Sequence, residues 1–111
     1  MAILVLAQAG GAGTQADNAS LETAWQGLPV TATLSDEGAG STYLHELLGD
    51  SPSDGLSVSV ANESSRIATY THTGGSGSYR IRATVTDPAG VQTVFVRVVR
   101  VTRDAAGATL E

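Results

Sequence analysis

The chain has 111 residues, enough for one domain whose core needs no metal or disulfide staple. Hydrophobic residues make up 41% and charged residues 15%, which excludes a disordered chain, and the absence of cysteine excludes disulfides, thiolate catalysis and cysteine-ligated zinc together. The formal net charge of −5 excludes a general nucleic-acid binder, whose binding domain would be basic.

The charge is unevenly laid out. Residues 1–65 hold eight acidic side chains and no basic one. All six cations are arginines from Arg66 onward, set against Asp87, Asp104 and Glu111, so the two parts carry −8 and +3. An arginine-rich face suits docking on an acidic protein surface, because the planar guanidinium pairs with carboxylates in a bidentate fork.

The N-terminal "MAILVLAQAGGAG" has no Lys or Arg ahead of its apolar run of about six residues, shorter than the core of a secretory signal. A bilayer span takes about 20 apolar residues. Residues 3–8 therefore read as a first strand or an arm, and residues 1–20 as an N-terminal strand or arm with a Gly-rich segment. Residues 10–26 read as a loop with one short strand through Trp25. The polar neighbours in "TAWQG" allow Trp25 an exposed position, but core packing is favoured.

From there the hydrophobic period is two, which predicts strands rather than helices. "LPVTATL" (28–34) places Leu28, Val30, Ala32 and Leu34 on one face. "STYLHEL" (41–47) is a weaker strand, since Leu44, Leu47 and Leu48 would also suit a helical turn. "LSVSVAN" (56–62) sets Leu56, Val58 and Val60 against Ser57 and Ser59, and a further strand covers 66–72. "YRIRATVT" (79–86) sends Tyr79, Ile81, Ala83 and Val85 inward and Arg80, Arg82, Thr84 and Thr86 outward, a strand with one wet face.

The last predicted strand, 91–101, differs. Val94, Val96 and Val98 share a face while Phe95 lies opposite beside Val91. The spacing of Arg97 and Arg100 predicts a slip of the alternation at Val98–Val99, as a β-bulge would cause. With both faces partly apolar, the strand is either covered on both sides or meets another chain; cover is favoured, since apolar runs usually mark burial. Residues 104–111 read as a tail. The segments "GGAG", "DEGAG", "GDSPSDG", "GGSGS" and "DPAG" punctuate the runs, and about seven strands so punctuated predict an all-β sandwich or barrel.

The run "THTGGSGSYRIRATVTDPAGVQTVFVRVVRV" resembles the C-terminal half of a PKD domain, through His72, Gly77 with Tyr79, Thr84-Val85-Thr86-Asp87 and Gly90. Upstream, Val30, Thr31, Ser35, Asp36 and Tyr43 stand where that family's first half has its second strand, turn and third strand. The resemblance covers roughly residues 28–101. His45 replaces a tryptophan of the pattern, and Glu46-Leu47-Leu48-Gly49-Asp50 replaces a shorter Asp/Gly turn. The resemblance implies an immunoglobulin-like two-sheet sandwich of about seven strands over residues 21–103. In it, "GGSGS" and "DPAG" are framework turns: Asp87 caps, Pro88 presets φ and Gly90 frees the exit. Tyr79 should bury its ring with its hydroxyl on a backbone partner.

No catalytic motif is present: neither a nucleophile elbow, nor His-Glu-x-x-His, nor a P-loop. His45 and His72 read as structural strand residues. Asp36, Glu37, Asp50, Asp54 and Asp87 fall in turns, where capping explains them, and no calcium-type loop spacing is seen. No cofactor, metal, nucleic acid or membrane is expected. The chain therefore reads as a non-enzymatic structural protein.

A solitary Met-started module with one-sided arginines resembles the small decoration (cement) proteins of tailed-phage virions. It would fasten to the major capsid protein shell, and to copies of itself, on the capsid surface. Its docking residues would be Ile3, Leu4, Val5 and Leu6 of the arm together with Arg80, Arg82, Arg97 and Arg100, with Phe95 as a hot spot. The alternative is an extracellular or cell-surface PKD-like module of a larger protein, spacing domains or binding polysaccharide.

Overall fold

The computed structural model describes residues 2–48, 56–74 and 77–103. All regular structure among them is β: β1 (Leu4–Gln8), β2 (Gly13–Thr14), β3 (Leu21–Trp25), β4 (Val30–Leu34), β5 (Thr42–Leu47), β6 (Ser57–Ala61), β7 (Ile67–Thr73), β8 (Gly77–Thr86) and β9 (Gln92–Arg103). They form a five-stranded sheet in the order β2-β1-β4-β7-β6 and a four-stranded sheet in the order β3-β9-β8-β5, packed face to face as a sandwich. No helix among the described residues is long and apolar enough to cross a membrane.

The period-two pattern builds the core directly. Leu4 and Leu6 of β1, Val30, Ala32 and Leu34 of β4, and Tyr79, Ile81 and Ala83 of β8 are all fully buried. Their outward neighbours in β4 and β8 are threonines and arginines, so each strand has one dry and one wet face. Burying a Leu- or Ile-sized side chain contributes about 1.5–3 kcal/mol, and these residues form one contiguous cluster between the sheets. The segment read as "STYLHEL" is strand β5, because its pairing with β8 runs unbroken from Thr42↔Thr86 to Leu47↔Ile81.

Of the two readings, strand or arm, residues 4–8 follow the first: they are an integral strand held between β2 and β4. Several other expectations need correction. Residues 10–26 contain two strands, of which β3 runs parallel to β9. The predicted bulge at Val98–Val99 is absent: β8 and β9 pair in constant register from Gly77↔Val101 to Thr86↔Gln92. The irregularity lies in the β3–β9 pairing instead, between Leu21 and Ala24 and again between Ala24 and Trp25, and Arg97 keeps to the inner face at the sandwich margin. There its Nε donates to the Asn18 carbonyl at 2.6 Å, while the guanidinium lies 5.6 Å from the Phe95 ring centre.

Phe95 is a further correction. It faces inward opposite Ala83, whose small side chain leaves space for the ring, and is only 5% exposed. The reverse face of β9 is open rather than covered, with Val94 52% and Val96 43% exposed.

The turns behave as their residues dictate. Asp87 accepts the amides of Ala89 and Val91 on Oδ1, closing the turn before β9, and Gly90 takes a φ of 88° that a side chain would resist. Tyr79 is fully buried beside the rings of Tyr70 and His72, but its hydroxyl has no hydrogen-bond partner, contrary to the expected rim contact. Tyr70 is the tyrosine whose hydroxyl finds a carbonyl, that of Glu46. The predicted tail, 104–111, and the carboxylates Asp50 and Asp54 lie outside the described residues.

Candidate binding face

The outer face of the four-stranded sheet carries the most distinctive surface. Register places Leu44, Thr84 and Val94 in one row across β5, β8 and β9, with Glu46, Arg82 and Val96 in the next. Thr42, Thr86 and Gln92 form the row at the other side. Together with Tyr43, all of these residues except Val96 line an open trough of about 450 Å³, from Gln92 at one end to the Glu46–Arg82 pair at the other. Its floor is ladder, fixed along the whole length of the β8–β9 pairing.

Arg82 Nε donates to Glu46 Oε1 at 2.8 Å. This contact holds the Glu46 carboxyl below the usual carboxylate range and pushes the Arg82 guanidinium up. Both groups therefore stay charged and cancel each other at neutral pH. Arg100 is likewise paired, its Nε 3.0 Å from Glu22 Oε1 across β3 and β9. Both pairs are exposed to solvent, so they fix side-chain positions more than they stabilise the fold.

The two histidines point the other way. His45 and His72 are each 1% exposed within the core. His45 Nε2 lies 3.3 Å from the Arg66 carbonyl and His72 Nε2 lies 3.0 Å from that of Trp25, so in each ring Nε2 carries the proton that a carbonyl accepts. Burial pushes the His45 pKa down, and the ring stays neutral. Neither reaches the trough. Among the described residues no group of three or more His, Asp or Glu side chains is placed to hold a metal ion. The trough's own residues can donate and accept hydrogen bonds, and its charged pair exchanges no proton near neutrality.

The sequence-predicted docking residues separate into two groups. Arg80, Arg82 and Arg100 share the outer face of the four-stranded sheet, whereas Leu4, Val5 and Leu6 lie on β1 of the opposite sheet and Ile3 directly precedes it. Leu4 and Leu6 are fully buried, as Phe95 nearly is, so all three belong to the core rather than to an accessible face. Ile3 is half-buried with its amide on Ser35 Oγ, and Val5 faces outward on β1. Arg97 is held at the margin by Asn18.

The trough residues Thr42, Leu44, Glu46 and Gln92 were not legible as a site. Each reads as an ordinary outward strand position, and only the β5–β8–β9 register brings them together.

No family model and no curated protein matches the chain. Among solved structures it is similar to a nucleoside hydrolase-related hypothetical protein from Saccharophagus degradans that is associated with carbohydrate metabolism, at 24% identity and a TM-score of 0.56. The match covers 78% of this chain but only 22% of that one, so the likeness is one of fold over about a fifth of a longer protein.

Proposed function

We propose that the chain is a non-enzymatic immunoglobulin-like module of the PKD-like kind, working as an accessory binding or spacing unit of a larger extracellular or surface protein. The strand order supports the immunoglobulin-like assignment: β1-β4-β7-β6 opposed to β9-β8-β5 corresponds to the four-and-three-strand division of that fold. The observation that carries the functional reading is the open trough on a rigid sheet, with a closed ion pair in it. Similarity to a domain-sized part of a longer protein associated with carbohydrate metabolism supports the accessory setting.

A virion decoration protein on a capsid shell is the second reading. The exposed apolar band of Leu44, Val94 and Val96 favours it, as a patch another protein could cover. The arginines expected to dock support it less, because Arg82 and Arg100 are matched by carboxylates of the same chain.

Fractionation of the native source decides between them, with the chain followed by mass spectrometry. Recovery in the medium or cell envelope, as part of a longer polypeptide, is the expected result. Stoichiometric sedimentation with megadalton particles would instead establish the decoration role.

A further inference from the structure

We propose that the free edge of β6 pairs antiparallel with the β6 of a second copy of this chain, joining two five-stranded sheets into one. The inference goes beyond the accessory-module reading and does not depend on it. Leu34 N–H donates to the Arg66 carbonyl at 2.9 Å, so the even-numbered residues of β7 turn their main-chain groups to β4 and the odd-numbered ones to β6. By the β6–β7 register, Ser57, Ser59 and Ala61 are then the residues bonded to β7. Val58 and Val60 turn their N–H and C=O groups to the outer edge, where no described residue meets them.

The other sheet edges are guarded. β2 is two residues long, β3 carries Glu22 and shifts register against β9, and the His45 amide within β5 already donates to the Glu63 carbonyl at 2.7 Å. β6, "SVSVA", has no charge, no proline and no bulge in its pairing. Those are the devices that keep an edge from pairing with another chain.

The occupant that fits is the same strand. A two-fold axis beside Ser59 sets Val58 against the partner's Val60, and Val60 against the partner's Val58, with both pairs exchanging main-chain bonds. Val58 and Val60 are half-buried at the margin of the core, so the added valines extend the dry face of the sheet. The strand is uncharged, so no like charges meet across the axis. Ser59 then faces the partner's Ser59 in a non-hydrogen-bonded pair, with Cα atoms about 4.5 Å apart, within reach of a disulfide.

The test is sedimentation equilibrium of the chain over a range of concentrations, with oxidative cross-linking through one introduced cysteine. The mass should rise with concentration towards twice 11.3 kDa and stop there, because pairing uses up both edges. Ser59→Cys, in a chain with no other cysteine, should give a covalent dimer under copper–phenanthroline. Ser57→Cys should not, since its counterpart lies about 13 Å further along the strand. Ser59→Lys sets like charges at the axis and should weaken association about fivefold at low salt, with recovery at high salt. Ser59 is exposed, so its variants should keep the wild-type urea midpoint.

A mass of 11.3 kDa at every concentration overturns the proposal and leaves the edge to an extended segment of another protein. Assembly beyond a dimer overturns it too. So does a dimer that ignores Ser59→Lys, fails to cross-link through Ser59→Cys, or cross-links equally through Ser57→Cys. Fractionation of the native source reads none of these, so the accessory-module reading stands or falls separately.

Discussion

Gln8 is the most heavily committed polar residue in the core. Its amide nitrogen donates to the carbonyls of Trp25 and Leu28, and its Oε1 accepts the amides of Trp25 and Ala12. The side chain is fully buried, and these bonds close one end of the sandwich where β1, β3 and the approach to β4 meet. Removing it strands several buried main-chain groups, each costing about 1–3 kcal/mol. Gln8→Leu should accordingly lower stability by about 2–4 kcal/mol, read as a reduced urea midpoint at unchanged slope. Gly11 stands against the same cluster. A Cβ there would lie 2.6 Å from Gln8 Oε1 and 2.9 Å from both Leu28 Cδ1 and Trp25 Cδ1. Gln8 cannot swing aside without losing its bonds, so Gly11→Ala should cost about 1–3 kcal/mol in the same assay.

At the scale of elements, β9 shows how one strand divides its labour. Its inner residues Phe95, Val99 and Val101 complete the core, while Val94 and Val96 stay open on the trough side. Phe95→Ala should destabilise by about 3–5 kcal/mol in urea unfolding, as expected of a buried aromatic. Val96→Thr should leave the midpoint essentially unchanged. A reversed pair of outcomes would mean that the assigned faces of β9 are exchanged. Arg82→Gln should also leave the midpoint near wild type, because both partners of its ion pair are wet.

The alternation of Phe95 with Val94 and Val96 was legible in the sequence, but which set faces inward was not. Two apolar faces look alike until pairing with β8 sets Phe95 opposite Ala83. Likewise Arg97 and Arg100 suggested a bulge on β9. The structure resolves their spacing by keeping Arg97 on the inner face at the margin, where Asn18 and Phe95 hold it.

The whole molecule is tied together across its sheets near His45. The His45 amide donates to the Glu63 carbonyl, its ring meets the Arg66 carbonyl, and Arg66 in turn exchanges bonds with Leu34. This strap joins β5 of one sheet to the β6–β7 turn and β4 of the other. Burial lowers the His45 pKa, so the unfolded chain binds this proton more readily than the folded one. The stability it withholds at low pH is fully present above 6.5, the ordinary histidine value, and is lost as pH falls from there towards the folded pKa. Glu46, also lowered, adds its loss only as pH falls below 4.5. Thermal unfolding between pH 7.5 and 5.5 should show a falling Tm, and His45→Gln should flatten that fall.

The sequence by itself determined the class of the fold, most strand positions and the faces of the strands whose two sides differ in polarity. Those features depend on local alternation, which each strand carries within itself, as "YRIRATVT" does. Only the tertiary structure decided that residues 4–8 join a sheet, that Leu4, Leu6 and Phe95 are core, and that Glu46 meets Arg82. It also decided the trough, whose residues come from three strands as far apart in sequence as Thr42 and Val94. The physical reason is register: period two says which residues share a face of one strand, but long-range pairing alone says which strands stand beside it.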